Sequence, residues 1–545
     1  MSLLDCTVGG DNFLEIEEKI SAPFTLLRKT PFPDAQCHLV RQTIELDGDS
    51  LSLEDLSAVS RGEKSAALAP RAAARVDAAR AVIDRAVAEN RVVYGVTTGF
   101  GKFADVVIPR EKLGALQLNL VRSHAAGTGA PLSAPAVRAV MLLRANCLAK
   151  GFSGVRRQTL ELLLACLAKG IHPVIPEQGS VGASGDLAPL AHLALALVGE
   201  GMVDWDGRRR PASEALRAAG LAPAVLEAKE GLALINGTQL TTAFGALALH
   251  RSLRLHKAAD LVAALTLDAL KGTDAAFDAR IHAARPHPGQ VASAQNLRTL
   301  LADSPLRESH RDCGIVQDAY ALRCIPQVHG TARDAAAHAR RVIEIEMNAA
   351  TDNPMVFAET GTVVSGGNFH AAPVALVCDL LTASAADMAS LSERRTERLV
   401  NPALSGDLPA FLTLDGGLNS GLMMIHVTAA SLVSEAKSNS FPASVDSIPT
   451  SAGKEDHVSM GPIAARKLTK NVDLFETVLA IELLAAAQAL DLRRPLKTSA
   501  PLEELHRLVR SRVAFWDSDR HAAPAIEGAR AVLSGDLDDL LAPLV

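Results

Sequence analysis

The chain has 545 residues, of which 48% are hydrophobic, 21% charged and only 3% aromatic. That length allows several domains or one large unit with its own core, and the ordinary glycine and proline contents exclude collagen-like and disordered classes. Lys and Arg number 55 against 61 Asp and Glu, a net charge of −6, so there is neither a basic field nor an aromatic platform to make nucleic acid a partner.

The longest strongly apolar stretches, 187–198 and 478–492, fall short of the roughly 20 residues a bilayer requires, and Glu482 interrupts the second. No basic leader precedes an apolar run near the N-terminus, so the expectation is a soluble, cytoplasmic protein without a membrane partner. Seven scattered cysteines, never spaced as CxxC, fit reduced thiols and suggest neither a disulfide framework nor a metal centre. The glycine loop from Gly95 to Lys102 is not a nucleotide-binding loop: it is one residue too long, and Phe103 stands where a magnesium-binding Ser or Thr is needed.

Residues 1–40 mix acidic residues, glycine and proline without periodicity and read as an N-terminal arm or extension. From Pro70 the pattern is helical, with Val76, Ala79, Ile83 and Val87 at three- and four-residue steps. Further Ala- and Leu-rich helical runs are predicted at 136–148, 157–167, 187–198, 240–270, 331–348, 371–399, 422–437 and 472–492. Short β-type runs, 91–94 and 361–364, are few. The predicted fold class is mainly α: an irregular N-terminal domain over 41–233, with loops at 96–102, 127–131 and 172–185, then a long antiparallel helical bundle over 234–545. The charged segments 208–210 and 392–398 read as a solvated loop and a helix face or subunit contact.

Tyrosine is the first chemical clue, because Tyr94 and Tyr320 are the only two in the chain. A phenolic base needs a tyrosine whose surroundings favour ionisation, although a half-buried structural tyrosine is the commoner reading of either one. If 317–323 is helical, Gln317, Tyr320 and Arg323 share one face, where the guanidinium could grip a carboxylate through two parallel hydrogen bonds. An interhelical polar network would account for the same spacing.

The segment from Gly179 to Leu190 brings three glycines up to an apolar helix, with Asp186 at the cap position and Pro189 in the first turn. It is not a nucleophile elbow, since Asp186 stands where GxSxG requires glycine. In a compressed loop, the Gly185 nitrogen can attack the Ala183 carbonyl carbon, and loss of water with the Ser184 hydroxyl leaves 4-methylidene-imidazol-5-one. Such an electrophile captures an amine and makes it depart more readily.

GSVGASGDLAPLAHLAL (179–195) resembles the signature of the aromatic amino acid lyases, which carry this group, and further segments resemble the histidine-specific branch. They are YGVTTGFGKF (94–103), LQLNLVRSHAAGTG (116–129), EGLALINGTQ (230–239), VQDAYALRCIPQVHG (316–330), ATDNPMVF (350–357), SGGNFH (365–370) and SVDSIPTSAGKEDHVSMG (444–461). The resemblance runs from about residue 40 to the end.

It implies an ammonia-lyase converting L-histidine to trans-urocanate with no external cofactor. The electrophile would form autocatalytically from Ala183, Ser184 and Gly185, and Asn236, Gln317 and Tyr320 would support it or the substrate amine. Tyr94 would be the base and Arg323 the carboxylate clamp. Phe369 would pack beside the electrophile, and His124 and Glu455 would face the imidazole. It also implies a homotetramer with shared active sites. The alternatives are a tyrosine or phenylalanine lyase or aminomutase using the same group, and a non-catalytic helical assembly on the same scaffold. A buried carboxylate at Glu455 favours histidine, whose ring N–H would satisfy it, although taken alone it could be bridged to Lys454. His192 reads as a core histidine, and His457 has no assigned role.

Overall fold

In the computed structural model, prolines open the main helices: Pro135, Pro326, Pro373 and Pro462 each stand in the first two positions of one. There the missing N–H costs nothing and the fixed φ is already helical. The structure describes residues 42–311, 314 and 316–545, so the expected N-terminal arm lies outside the described residues.

Five long helices follow one another in the second half: Gln239–Ala269, Ile325–Met347, Ala372–Val400, Met423–Ser438 and Gly461–Leu492. Consecutive members reverse direction, as expected of an antiparallel bundle. Asp260 meets His329, whereas Gly245, half a helix earlier, faces Ile343. Glu393 meets His426, whereas Asp379 meets Ser444 just past the end of its neighbour.

The first, third and fifth therefore run parallel and form the core together. At one end a β-carbon on Gly461 would lie 2.9 Å from Thr241 and 3.0 Å from Ala371, so glycine lets three helices converge. Further along, fully buried Glu482 accepts from Thr266 Oγ1 at 2.7 Å, Ser392 Oγ at 2.6 Å and Arg395 Nη2 at 2.7 Å. Arg395 is itself completely buried. The charged run 392–398 is thus a helix face turned partly inward: Arg395 neutralises a carboxylate inside the core.

The first half is shorter-stepped. Helices Leu53–Ser60, Pro70–Ala88, Leu113–His124, Ala134–Ala149 and Arg157–Ala168 surround small sheets. The 91–94 run forms no strand, because the chain turns at Gly95, where φ is +68°. Thr362–Val364 does pair, antiparallel to Met355–Phe357. Arg208–Pro211 is a strand rather than a loop, paired with Met202–Trp205, and Arg210 lies over the Trp205 ring.

Residues Gln42–Val545 form one compact unit, and residue 233 falls inside helix Glu230–Ile235, so the change in sequence character there opens no gap in packing. Helix Ala372–Val400 carries an 18-residue window of mean hydropathy 1.5, apolar enough to cross a membrane by length and composition. In the fold, 61% of that window is buried, facing its helical neighbours.

Candidate active site

Two of the predicted loops contain a short ladder that organises the site. Thr128–Pro131 pairs antiparallel with Pro176–Gln178, which sets the end of helix Leu113–His124 beside the segment 179–186. That segment is tightened by its own polar groups. Ser180 Oγ accepts the Gly182 N–H at 3.0 Å and donates to the Gly185 carbonyl at 3.2 Å. Ser184 stands at φ +53° and Gly185 at +79°, the left-handed region that a serine enters only at a cost. A β-carbon on Gly185 would collide with the Gly237 carbonyl oxygen, so only glycine fits.

The strap Asn236–Gly237, between helices Glu230–Ile235 and Gln239–Ala269, lies against this turn. Asn236 Nδ2 donates to the Ser184 carbonyl at 3.0 Å, and the Gly237 carbonyl accepts the Asp186 N–H at 2.7 Å. Asn236 is buried, yet its Oδ1 has no partner among the described residues. An orphaned amide oxygen costs free energy, and an ammonium is a donor that would satisfy it.

Asp186 occupies the cap position of helix Leu187–Leu197 without capping it. Its carboxylate turns to the neighbouring helix and accepts both the Thr241 N–H and the Thr241 hydroxyl at 2.9 Å. Complete burial pushes its pKa up to about 6 against those hydrogen bonds.

In front of the turn lies a cavity of about 1270 Å³, lined by Tyr94, His124, Ala183, Ser184, Asn236, Phe369 and Glu455 among others. Tyr94 Oη accepts the Gly101 N–H at 3.4 Å. His124 Nδ1 lies 2.9 Å from the Leu120 carbonyl. A carbonyl only accepts, so Nδ1 carries the hydrogen and Nε2 is left as an acceptor. Burial lowers the His124 pKa below the usual imidazole value, against the opposing effects of Leu120 and Glu455, and keeps the ring neutral at pH 7.

Glu455 accepts from Ser184 Oγ at 3.0 Å and from Thr450 Oγ1 at 2.7 Å. Hydroxyls hold it, and among the described residues no cation does; the Lys454 bridge does not form.

Three expected site residues stand apart from this cavity. Gln317, Tyr320 and Arg323 do not line it. Ala319 is extended and the helix spans only Tyr320–Arg323, so Gln317 shares no helical face with the other two. Tyr320 is 70% exposed, and the Arg323 guanidinium lies 4.5 Å from its ring centroid.

A sequence profile described as aromatic amino acid lyase matches residues 51–511. The chain belongs to the aromatic amino acid lyase family. It is 55% identical over 501 residues to a histidine ammonia-lyase of Anaeromyxobacter sp. (strain K), covering 90% of this chain and 98% of that one. The crystal structure of histidine ammonia-lyase from Trypanosoma cruzi superposes with a TM-score of 0.86 at 45% identity, covering 92% of this chain and 96% of that one. Tyrosine aminomutase from Streptomyces globisporus superposes with a TM-score of 0.87 at 37% identity, covering 92% and 99%.

Some parts of this cavity and its surroundings escape the sequence reading. His370 and His457 stack at its edge, with ring centroids 5.8 Å apart and planes 4° from parallel. Both lie in motifs already singled out, which was the available signal. Arg144, which lies behind the cavity and donates to the Asn236 carbonyl at 2.7 Å, gave no signal, since it sits in an Ala- and Leu-rich helix that reads as core.

Proposed function

We propose that this chain eliminates ammonia from L-histidine to give trans-urocanate, using 4-methylidene-imidazol-5-one formed from Ala183, Ser184 and Gly185. The observation that carries the substrate is the Glu455 carboxylate, which has no cation partner among the described residues and shares the cavity with neutral His124. Either acceptor suits the ring N–H of an imidazole, whereas the ring of phenylalanine offers no such donor.

The turn suits the prosthetic group. Ser184 and Gly185 are already left-handed, Asn236 Nδ2 holds the Ser184 carbonyl, and the free Asn236 Oδ1 awaits a donor. The Gly185 nitrogen attacks the Ala183 carbonyl carbon, whose oxygen leaves as water with the Gly185 and Ser184 amide hydrogens. Ser184 then loses its hydroxyl and its α-hydrogen as a second water, leaving the exocyclic C=C bond. Once formed, the group supplies an electrophilic carbon that takes the substrate amine and makes it a better leaving group.

The residues of the chain do the rest. Tyr94 takes the β-hydrogen on its oxygen, Phe369 packs beside the turn, and Glu455 and His124 orient the ring. Arg323 holds the α-carboxylate, with Gln317 and Tyr320 beside the amine. Because these last three stand outside the cavity of their own chain, another subunit of a homotetramer supplies them.

The test is an assay of the purified protein with L-histidine, L-tyrosine and L-phenylalanine, with urocanate followed by its absorbance. The expected kcat/KM for L-histidine exceeds that for either other substrate by about a hundredfold or more. A preference for L-tyrosine or L-phenylalanine would overturn the substrate assignment.

A further inference from the structure

Arg144 is a completely buried guanidinium in the middle of helix Ala134–Ala149. Among the described residues it has no carboxylate partner. Nη1 donates to the Asn236 carbonyl at 2.7 Å and to Gln239 Oε1 at 2.9 Å, Nη2 to Cys147 Sγ at 3.3 Å, and Nε has no partner. A buried cation without a counter-charge is expensive to keep. Arg395, the other fully buried arginine among the described residues, has Glu482 to neutralise it. Arg144 spends its charge on a neutral peptide carbonyl and an amide.

That carbonyl belongs to the strap lying against the Ala183–Gly185 turn. At Gly237 φ is +148°, and a β-carbon there would come within 2.8 Å of both Arg144 Nη1 and Thr351 Oγ1. Gln239, which shares Nη1 with the strap, is fixed in turn by its Nε2 donating to Thr351 Oγ1 at 2.8 Å. Arg144, Gln239 and Thr351 thus form a close-packed wall behind Gly237. From the same strap, the Gly237 carbonyl accepts the Asp186 N–H and Asn236 Nδ2 donates to the Ser184 carbonyl. Two bonds reach the turn, and the guanidinium anchors their source.

We propose that Arg144 is a positioning residue for the electrophile: by pinning the Asn236 carbonyl it holds the strap against the Ala183–Ser184–Gly185 turn, so that the turn stays compressed for cyclisation and the Asn236 amide stays in place during turnover. This rests on the proposed electrophile. Removing the pin frees the strap to move away, and a displacement of about 1 Å at such a site costs about a hundredfold in rate.

The experiment compares wild type, Arg144→Met, Arg144→Lys and Arg138→Met. Arg138 is a buried arginine of the same helix that donates to the Val59 and Leu167 carbonyls, away from the strap. Each protein is purified, its helicity and melting temperature are recorded, and the peptide carrying residues 183–185 is weighed by mass spectrometry. The wild-type peptide is expected to lack two waters throughout. Arg144→Met is expected to fold but to contain about a tenth or less of its peptide in the dehydrated form, with Arg144→Lys intermediate. Arg138→Met is expected to lose thermal stability yet dehydrate fully.

Full dehydration in Arg144→Met, with kcat/KM within about twofold of wild type, would overturn the proposal. So would equal loss of dehydration in Arg138→Met, which would make the effect one of general stability. If Arg144→Met is insoluble, Arg144→Lys decides, and full dehydration with unchanged turnover there overturns the proposal. An unmodified wild-type peptide would instead sink the electrophile reading itself, which separates the two failures.

Discussion

At the scale of single residues, the proposed selectivity turns on a carboxylate that, among the described residues, is held by hydroxyls and by no cation. Glu455 has Ser184 and Thr450 as its donors, and the Ser184 hydroxyl is the one that the second dehydration of the proposed conversion would remove. Once it is gone, one carboxylate oxygen needs a new donor, and an imidazole N–H is such a group. Glu455→Gln keeps the volume and weakens that interaction, while Glu455→Ala deletes it. A hydrogen bond to a charged group is worth about 1.5–3 kcal/mol, so kcat/KM for L-histidine should fall by roughly ten- to a hundredfold. Phenylalanine never satisfied the carboxylate and should lose less, so the ratio of the two specificity constants should narrow in both variants. An unchanged ratio, with both activities falling equally, would make Glu455 a structural residue.

At the scale of elements, helix–helix contacts carry buried charge as well as apolar surface. Glu482 and Arg395 are both fully buried and bonded to each other across two parallel helices. Glu482→Leu strands the guanidinium and should cost about 3–5 kcal/mol in denaturant unfolding, whereas Glu482→Leu combined with Arg395→Met should recover most of that loss. A single-variant cost below about 1 kcal/mol would show the pair to be dispensable. Neither residue's partner was legible in the sequence: Glu482 looked like an interruption and Arg395 like part of a charged surface. The helices themselves were legible, because their three- and four-residue apolar spacing is local information. Helix Gly461–Leu492 begins 11 residues before the predicted start at 472, because Arg466, Lys467 and Lys470 break its early apolar pattern. Asp186 occupied the predicted cap position, but tertiary contact with Thr241 won its carboxylate. Gln317 was assigned to a helical face by spacing alone, and extended Ala319 removed it. The convergence of Tyr94, His124, Ser184, Asn236, Phe369 and Glu455 from separate segments lay beyond any periodicity; only resemblance to a family pointed to it.

At the scale of the whole molecule, one chain does not bring its expected site together. The cavity holds the turn together with Tyr94, His124 and Glu455, while Tyr320 and Arg323 stack on each other outside it. If subunits exchange these residues, an inactive Ser184→Ala protein and an inactive Tyr320→Phe protein should regain activity when co-expressed, since some cavities then combine an intact turn with an intact tyrosine. No recovery in mixed oligomers would place Tyr320 with the turn of its own chain. All of this depends on a turn that converts itself. The most direct test is the mass of the peptide carrying Ala183, Ser184 and Gly185, taken from native protein whose turnover of L-histidine has been measured in the same preparation. A peptide lighter by two waters in turning-over enzyme is the predicted result, and an unmodified peptide in fully active enzyme would contradict the account.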